Sequence, residues 1–399
     1  MESIREIFKI GYGPSSSHTM GPRKAAGLFR DRNPGTPKFR VTLYGSLAAT
    51  GKGHMTDRSI LEALAPADTE IAWKPTEFLP PHPNGMTFEA LDDAGNPADA
   101  WTTFSIGGGD ISDSGKREPR DEVYPLSTMN DILAWCQENG RALWEYVDIH
   151  EPQGTWEYLA EVWQVMQEAI ARGIEAEGVL PGRLNLPRKA ASYHTKARSF
   201  QGSLSRRAFT FAFALAVSEE NAAGGRIVTA PTCGSCGVLP AVLYLLKTHY
   251  DFSEPRILRG LATAGLVGNL IKTNASISGA EVGCQGEVGS ASSMAAAAAE
   301  QMFGGTAAQV EYAAAIAMEH FLGLTCDPLF GLVQVPCIER NALGAARALD
   351  ANIYALLSDG RHLVSFDRVI QAMKQTGHDL PRIYKETAEG GLAALGIRE

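Results

Sequence analysis

Cysteine is scarce in this chain, six among 399 residues. That excludes the small disulfide-stapled scaffold of secreted domains and suits reduced thiols in a reducing compartment. Long apolar runs are missing as well. The longest small or apolar stretches, around 209–217 and 291–299, fall well short of the roughly 20 residues that a membrane-crossing helix needs. Nor is there a surplus of positive charge. The 36 basic side chains stand against 45 acidic ones, for a net charge of −9, which opposes nonspecific attraction to nucleic acid or an anionic membrane. Near the amino end, Glu2 and Glu6 precede any apolar run and Arg5 and Lys9 lead into none. A secretory leader is therefore not expected, and a cytoplasmic protein is. No internal repeat stands out.

What is present suffices for a large core: 45% of residues are hydrophobic and 20% charged, and the length suits two or three domains. Residues 1–17 read as a short polar helix and a Gly-Pro-Ser turn, with a helix to follow over His18–Phe29, where Pro22 fits a first turn. Alternation predicts a strand over Phe39–Leu47 and shorter strands at Glu70–Trp73, Met86–Leu91 and Thr102–Ile106. Helical periodicity begins near Thr128 and returns in Trp156–Gly173. Gly178, Pro181, Gly182 and Pro187 then interrupt it, so the pattern places a linker at 178–188 between residues 1–177 and 189–399. Beyond lie helices expected over Arg206–Ala216, Val238–Lys247, Ile257–Leu270, Ala291–Phe303 and Ala307–Leu322, the alanines 295–299 marking close helix packing. The expected class is α+β, with an α/β or α+β N-terminal domain and a mostly helical C-terminal one.

Five of the six cysteines follow residue 230. Gly283-Cys284-Gln285-Gly286-Glu287, Leu324-Thr325-Cys326-Asp327-Pro328 and Val335-Pro336-Cys337 separate three of them by 42 and 11 positions. Thiolates bind zinc or iron well, and turns beside glycine and proline can hold sulfurs rigidly. Spacing alone leaves core thiols, a metal site and other thiol chemistry all open. Cys233-Gly234-Ser235-Cys236 is a lone CxxC pair, compatible with structural, cluster-supporting or redox roles. Among histidines, His54 follows Gly51-Lys52-Gly53, a loop able to present an imidazole whose proton chemistry falls near neutral pH; a purely structural role stays open. Ser15, Ser16, Ser17 and His18 suit either helix capping, with Thr19, or the grip on a small charged ligand. His82 and Asn84 occupy another polar turn. The glycines of Ile106-Gly107-Gly108-Gly109-Asp110 suit flexibility or an anion, which keeps a pyridoxal-phosphate enzyme in view. Neither Lys52 nor Lys116, however, has the context of a Schiff-base lysine. Glu339-Arg340 reads as an ion pair and His320 as a packed helix-end residue.

Taken together, Pro14-Ser15-Ser16-Ser17-His18-Thr19, Gly51-Lys52-Gly53-His54, His82-Pro83-Asn84-Gly85, Asn274–Glu287, Cys326-Asp327-Pro328 and Lys385-Glu386-Thr387 resemble the iron-sulfur-dependent bacterial L-serine dehydratases in their single-chain form. The resemblance runs through most of the chain. It implies conversion of L-serine to pyruvate and ammonia without pyridoxal phosphate. It further implies that Cys284, Cys326 and Cys337 bind three irons of a 4Fe-4S cluster, leaving one iron to meet substrate. By the same resemblance His54 is the expected proton acceptor and His18 a second acid/base candidate. Ser15, Ser16, Ser17, His82, Asn84, Asn274, Ser276 and Ser278 are the expected substrate-positioning residues, and a homodimer is the expected assembly. Some members of that family place a C-terminal cysteine on the fourth iron. This sequence ends Gly396-Ile397-Arg398-Glu399, so water, hydroxide or another group is expected there. Cys233 and Cys236 depart from the family pattern and are not assigned as ligands. Two rivals remain: dehydration of threonine or another small hydroxy amino acid, and an amino-acid-binding regulatory protein whose metal site is structural.

Overall fold

The computed structural model describes residues 1–92, 94–116, 122–387 and 389–395; the terminal Gly396 to Glu399, on which the fourth-ligand expectation bears, lie outside them. Two compact units partition the chain, one of Tyr12–Arg120 and the other of Met1–Gly11 with Asp121–Glu399. An α+β unit thus precedes a predominantly helical one.

The smaller unit is built on five strands, β2 (Lys38–Tyr44), β3 (Asp68–Lys74), β4 (Gly85–Leu91), β5 (Pro97–Gly107) and β6 (Asp110–Ser112), in the order β3-β2-β4-β5-β6. β2 and β3 are parallel, joined through the helix Thr56–Leu64, and every other pairing is antiparallel. The period of two fixes which face is buried. Phe39, Val41 and Leu43 of β2 and Met86, Phe88 and Ala90 of β4 all point into one core with Phe29, Ile60 and Leu64 from the helices Gly21–Arg32 and Thr56–Leu64. The expected strand over Phe39–Leu47 ends at Tyr44, and Gly45–Thr50 is a helix. Gly45 makes the corner at φ +50, and an added Cβ there would lie 2.5 Å from the Pro83 carbonyl oxygen, so a side chain is excluded by both backbone and space. Gly107, Gly108 and Gly109 all take positive φ in the tight turn from β5 to β6, which accounts for the glycine run without a ligand.

β1 (Ile10–Tyr12), most of which belongs to the larger unit, and β7 (Arg226–Val228) form a two-stranded ribbon. The rest is helix. The helices Val238–Tyr250, Glu254–Asn274, Ala307–Glu319 and Cys337–Leu356 pack around Ser290–Phe303, and Gly202–Ala222 and Thr155–Glu175 pack against these in turn. Alanines 295–299 are all completely buried, and their small side chains let neighbouring helix axes approach at the short end of the 8–10 Å range. Gly260 and Gly268 of Glu254–Asn274 receive Met302 and Met294 from that central helix. The segment 178–188 lies within this unit, closed by an antiparallel bridge between Val179 and Pro187, and the helices from Met129 to Glu175 belong to it too. Among the described residues no helix is long and apolar enough to cross a membrane.

Candidate functional site

Two sets of chemically capable side chains emerge, one in each unit. In the α+β unit, the polar turn before Gly21–Arg32 is a single wide turn, Ser16–Met20, capped by Ser15, whose hydroxyl accepts from the His18 backbone N–H at 3.1 Å. Ser15 rather than Thr19 is the cap. The Thr19 hydroxyl instead donates to the His54 carbonyl at 2.7 Å, stitching the serine-histidine turn to the Gly51–Gly53 loop. Thr56 does the same in the other direction, donating to the His18 carbonyl at 2.5 Å. Cross-bonded in this way, the two loops bring the His18 and His54 rings to 4.7 Å between centroids.

The His18 ring is held at both nitrogens, Nδ1 at 2.8 Å from Ser17 Oγ and Nε2 at 3.0 Å from Ser46 Oγ. His54 Nδ1 lies 3.2 Å from the Thr50 carbonyl oxygen, so that nitrogen carries the proton and Nε2 is left with its lone pair. Burial, then the neighbouring His54, holds His18 well below the ordinary imidazole range, and burial brings His54 down to about 4. Both rings are therefore neutral at physiological pH, the state in which an imidazole accepts a proton.

The turn bearing His82 and Asn84 joins this pocket. His82 contributes to the depression of His18, and its Nδ1 accepts the Asn84 backbone N–H at 3.1 Å. The Asn84 amide donates to the Ser105 carbonyl at 3.2 Å, and the Ser105 hydroxyl donates to the Ser17 carbonyl at 2.6 Å. The Asn84 side-chain oxygen is buried without a hydrogen-bond partner, an acceptor whose desolvation is uncompensated until something donates to it.

The helical unit gathers thiols. Cys284 precedes a short wide turn, Gln285–Gly289, Cys337 opens the helix Cys337–Leu356, and Cys326 lies on an extended segment bridged to Lys385. That bridge is a backbone clamp, with the Cys326 N–H donating to the Tyr384 carbonyl at 2.7 Å and the Glu386 N–H donating to the Cys326 carbonyl at 2.8 Å. Cys284 and Cys326 are buried and Cys337 half-buried; all three are free thiols. A hydrogen bond from Cys326 pulls the Cys284 thiol below its ordinary value, while the same bond and burial raise Cys326. Among the described residues, no three His, Cys, Asp or Glu side chains converge on a point as ligands of a single metal ion would.

Residues that flank the cysteines in these segments, given no role from the sequence, contribute here as well. Glu287, one turn beyond Cys284, points its Oε2 to 3.8 Å from Cys326 Sγ and accepts from the Thr232 hydroxyl at 2.8 Å. Gly279 leaves the room: a Cβ on it would stand 2.7 Å from Glu287 Oε2 and 3.2 Å from Cys326 Sγ. Asn341, one turn after Cys337, donates to the Gly234 carbonyl at 2.7 Å and accepts from the Gly237 N–H at 2.9 Å. The buried Cys233–Cys236 loop is thereby held against the Cys337 helix, and burial raises the Cys236 thiol well above its ordinary value, which keeps it protonated and inert. Arg340 pairs with Asp327 and not with Glu339, which faces Lys189.

The remaining candidates sit at the edge of this unit. The Asn274 amide donates to the Ser127 and Leu270 carbonyls at 2.8 and 2.9 Å, ending the helix Glu254–Asn274. The Ser276 hydroxyl bonds Glu281 and accepts the Ser278 N–H at 3.1 Å, and Ser278 opens the short helix Gly279–Val282 that leads to Cys284.

A buried imidazole pair lies in the α+β unit, and in the predominantly helical unit Cys284 lies beside Cys326 and acts on Cys337, residue types suited to proton transfer and to sulfur ligation. Comparison with known proteins agrees. A family model described as the serine dehydratase beta chain matches residues 3–70, and one described as the serine dehydratase alpha chain matches residues 59–393. The chain is 44% identical to L-serine dehydratase 2 of Escherichia coli, the alignment taking in 98% of each. It is 43% identical to an L-serine dehydratase of Haemophilus influenzae over 98% of this chain and 99% of that one, and equally so to one of Streptomyces coelicolor over 98% of both. This chain belongs to the serine dehydratase family, with the alpha- and beta-chain regions in one polypeptide.

Proposed function

We propose that this protein is an L-serine dehydratase, converting L-serine to pyruvate and ammonia with a 4Fe-4S cluster and without pyridoxal phosphate. The observation that carries the reading is the trio of free thiols in which Cys284 lies beside Cys326 and acts on Cys337, in a chain that aligns over nearly its whole length with proteins named for that activity. The donor set fits a cluster. The three sulfurs come from a turn, an extended segment and the first residue of a helix, Cys284 and Cys326 interact, and Gly279 keeps the wall beside Cys326 free of a Cβ. Cys284, Cys326 and Cys337 would hold the cluster. When bound, it supplies a Lewis-acidic iron for the β-hydroxyl, a poor leaving group otherwise.

The protein's own contribution is proton handling and orientation. His54, neutral and with Nε2 free to accept, takes the α proton. His18, fixed between Ser17 and Ser46, keeps the second ring in place and is the alternative base. Ser15, Ser16 and Ser17 position the carboxylate, and the unpartnered Asn84 oxygen, with His82 beside it, receives the ammonium group. Asn274, Ser276 and Ser278 order the approach to Cys284. Loss of the α proton and the β-hydroxyl leaves aminoacrylate, whose tautomerisation and hydrolysis yield pyruvate and ammonia with no net redox change.

Six free thiols suit a cytoplasmic protein. The exposed apolar residues Leu343, Ile353, Tyr354, Leu357 and Leu363 support assembly as a homodimer. The test is anaerobic pyruvate formation from L-serine after reconstitution with iron and sulfide, with iron content measured on the same sample. Cluster-dependent turnover supports the reading. A loaded, folded protein that turns over L-threonine and not L-serine refutes it in favour of that substrate, and one that binds serine without turnover makes it a regulatory protein.

A further inference from the structure

We propose that Arg340 is the positioning residue of the thiol centre: one guanidinium ties together the three segments that carry Cys284, Cys326 and Cys337 and sets the charge against which the cluster is held. The inference rests on the cluster reading above.

Arg340 follows Cys337 by three residues on one helix, so the two side chains project from the same face. From there Nη1 donates to the Thr325 carbonyl at 2.6 Å and Nη2 to Asp327 Oδ1 at 3.0 Å. Those are the residues on either side of Cys326. The same guanidinium lies near enough to the Cys284 sulfur to lower its thiol. Three segments therefore meet around one planar cation, whose five N–H donors form a fixed fork that no lysine reproduces. Asp327 is buried and anchors the arrangement in turn, its Oδ2 accepting the Leu392 N–H at 2.9 Å.

Arg340 is the cation that acts on Cys284 and Cys337. Three thiolates in a desolvated site repel one another, and a buried cation with satisfied hydrogen bonds offsets that repulsion. Partners that orient metal ligands are commonly worth about 10–100-fold in metal affinity.

The full chain is reconstituted anaerobically as wild type, Arg340→Gln, Arg340→Lys and Asp327→Asn. Three readouts are taken: iron and sulfide per chain, the rate of iron loss to a ferrous chelator, and the midpoint potential by optical titration. Arg340→Gln is expected to lose iron about 10–100-fold faster and to shift the potential negative, because reduction adds charge that the cation no longer balances. Arg340→Lys keeps the charge without the fork, so its potential stays near wild type while iron loss still accelerates. Asp327→Asn, which frees the fork and removes the anion paired with it, likewise accelerates iron loss but shifts the potential positive. A purely structural ion pair would lower the melting temperature of all three and leave the potential alone. Wild-type iron loss and potential in Arg340→Gln overturn the proposal; should that variant not fold, wild-type iron loss in both of the others does so. A wild-type protein that takes up no iron overturns the cluster reading itself, and this inference with it.

Discussion

His54 offers the sharpest link between burial and chemistry. It is 3% exposed and its imidazole is brought from an ordinary 6.5 to about 4 by desolvation. The folded state therefore resists the proton that the unfolded chain accepts. Stability is fully present above pH 6.5 and falls as pH drops toward 4, because over that window the unfolded state binds more protons. At about 1.4 kcal/mol per unit, the depression amounts to about 3 kcal/mol of acid sensitivity from this residue. His54→Gln removes the titration while keeping a polar side chain, so the variant's stability is flat with respect to this group. The assay is urea unfolding of wild type and variant at pH 7.5 and pH 4.5, followed by fluorescence. The variant is expected to gain about 2–3 kcal/mol relative to wild type at the lower pH. On the proposal that His54 takes the α proton, the same value sets the acid side of the pH profile. At pH 5.5 an imidazole of 6.5 is about 9% neutral, one of 4 about 97%, so kcat/KM for L-serine should hold nearly level between pH 7 and pH 5.5. An equal stability difference at both pH values, together with an acid limb near 6.5, would refute the argument that burial keeps this ring neutral.

Other expected outcomes follow from the same structure. Replacing Cys284, Cys326 or Cys337 singly by serine should abolish turnover and visible cluster absorbance, whereas Cys136→Ser, far along the chain in the helix Met129–Asn139, should leave both unchanged. Glu300, wholly buried with Asn352 Nδ2 at 2.6 Å from Oε2, is raised by burial to about 7. Its ionisation therefore costs stability progressively as pH rises from 4.5 through 7, and Glu300→Gln should be more stable than wild type by about 1–3 kcal/mol at pH 8.5 and by little at pH 5, read from denaturant melts. Gly283 combines φ +77 with a Leu324 carbonyl 2.6 Å from where a Cβ would be. Gly283→Ala should thus cost about 1–3 kcal/mol and lower the iron bound per chain, since the strain falls on the residue before Cys284.

Much of the molecule is written locally. Alternation in Phe39–Leu43 and Met86–Ala90 specified which face of the sheet is buried, because a strand's side chains alternate whatever they pair with. The alanine run at 295–299 announced a closely packed helix, and the cysteine segments stood out through glycine and proline neighbours that restrict the backbone. What no local pattern carries is the meeting of distant residues. The helices of Met129–Glu175 show the same periodicity whichever unit they join, and only their packing assigns them to the helical one. Gly45 turns a strand into a helix because Pro83, far along the chain, occupies the space that a Cβ would need. Glu287 stood in the Cys284 motif without an assigned role, and Arg340 read as an ion pair with its neighbour Glu339. Their place beside the thiols, like the 4.7 Å separation of the His18 and His54 rings, depends on loop closures whose partners lie tens of residues away. The sequence by itself determined the residue types available for chemistry and the faces they occupy. Only the tertiary structure decided which of them share a desolvated site, because burial and hydrogen bonding, and hence protonation, are properties of the neighbours and not of the chain.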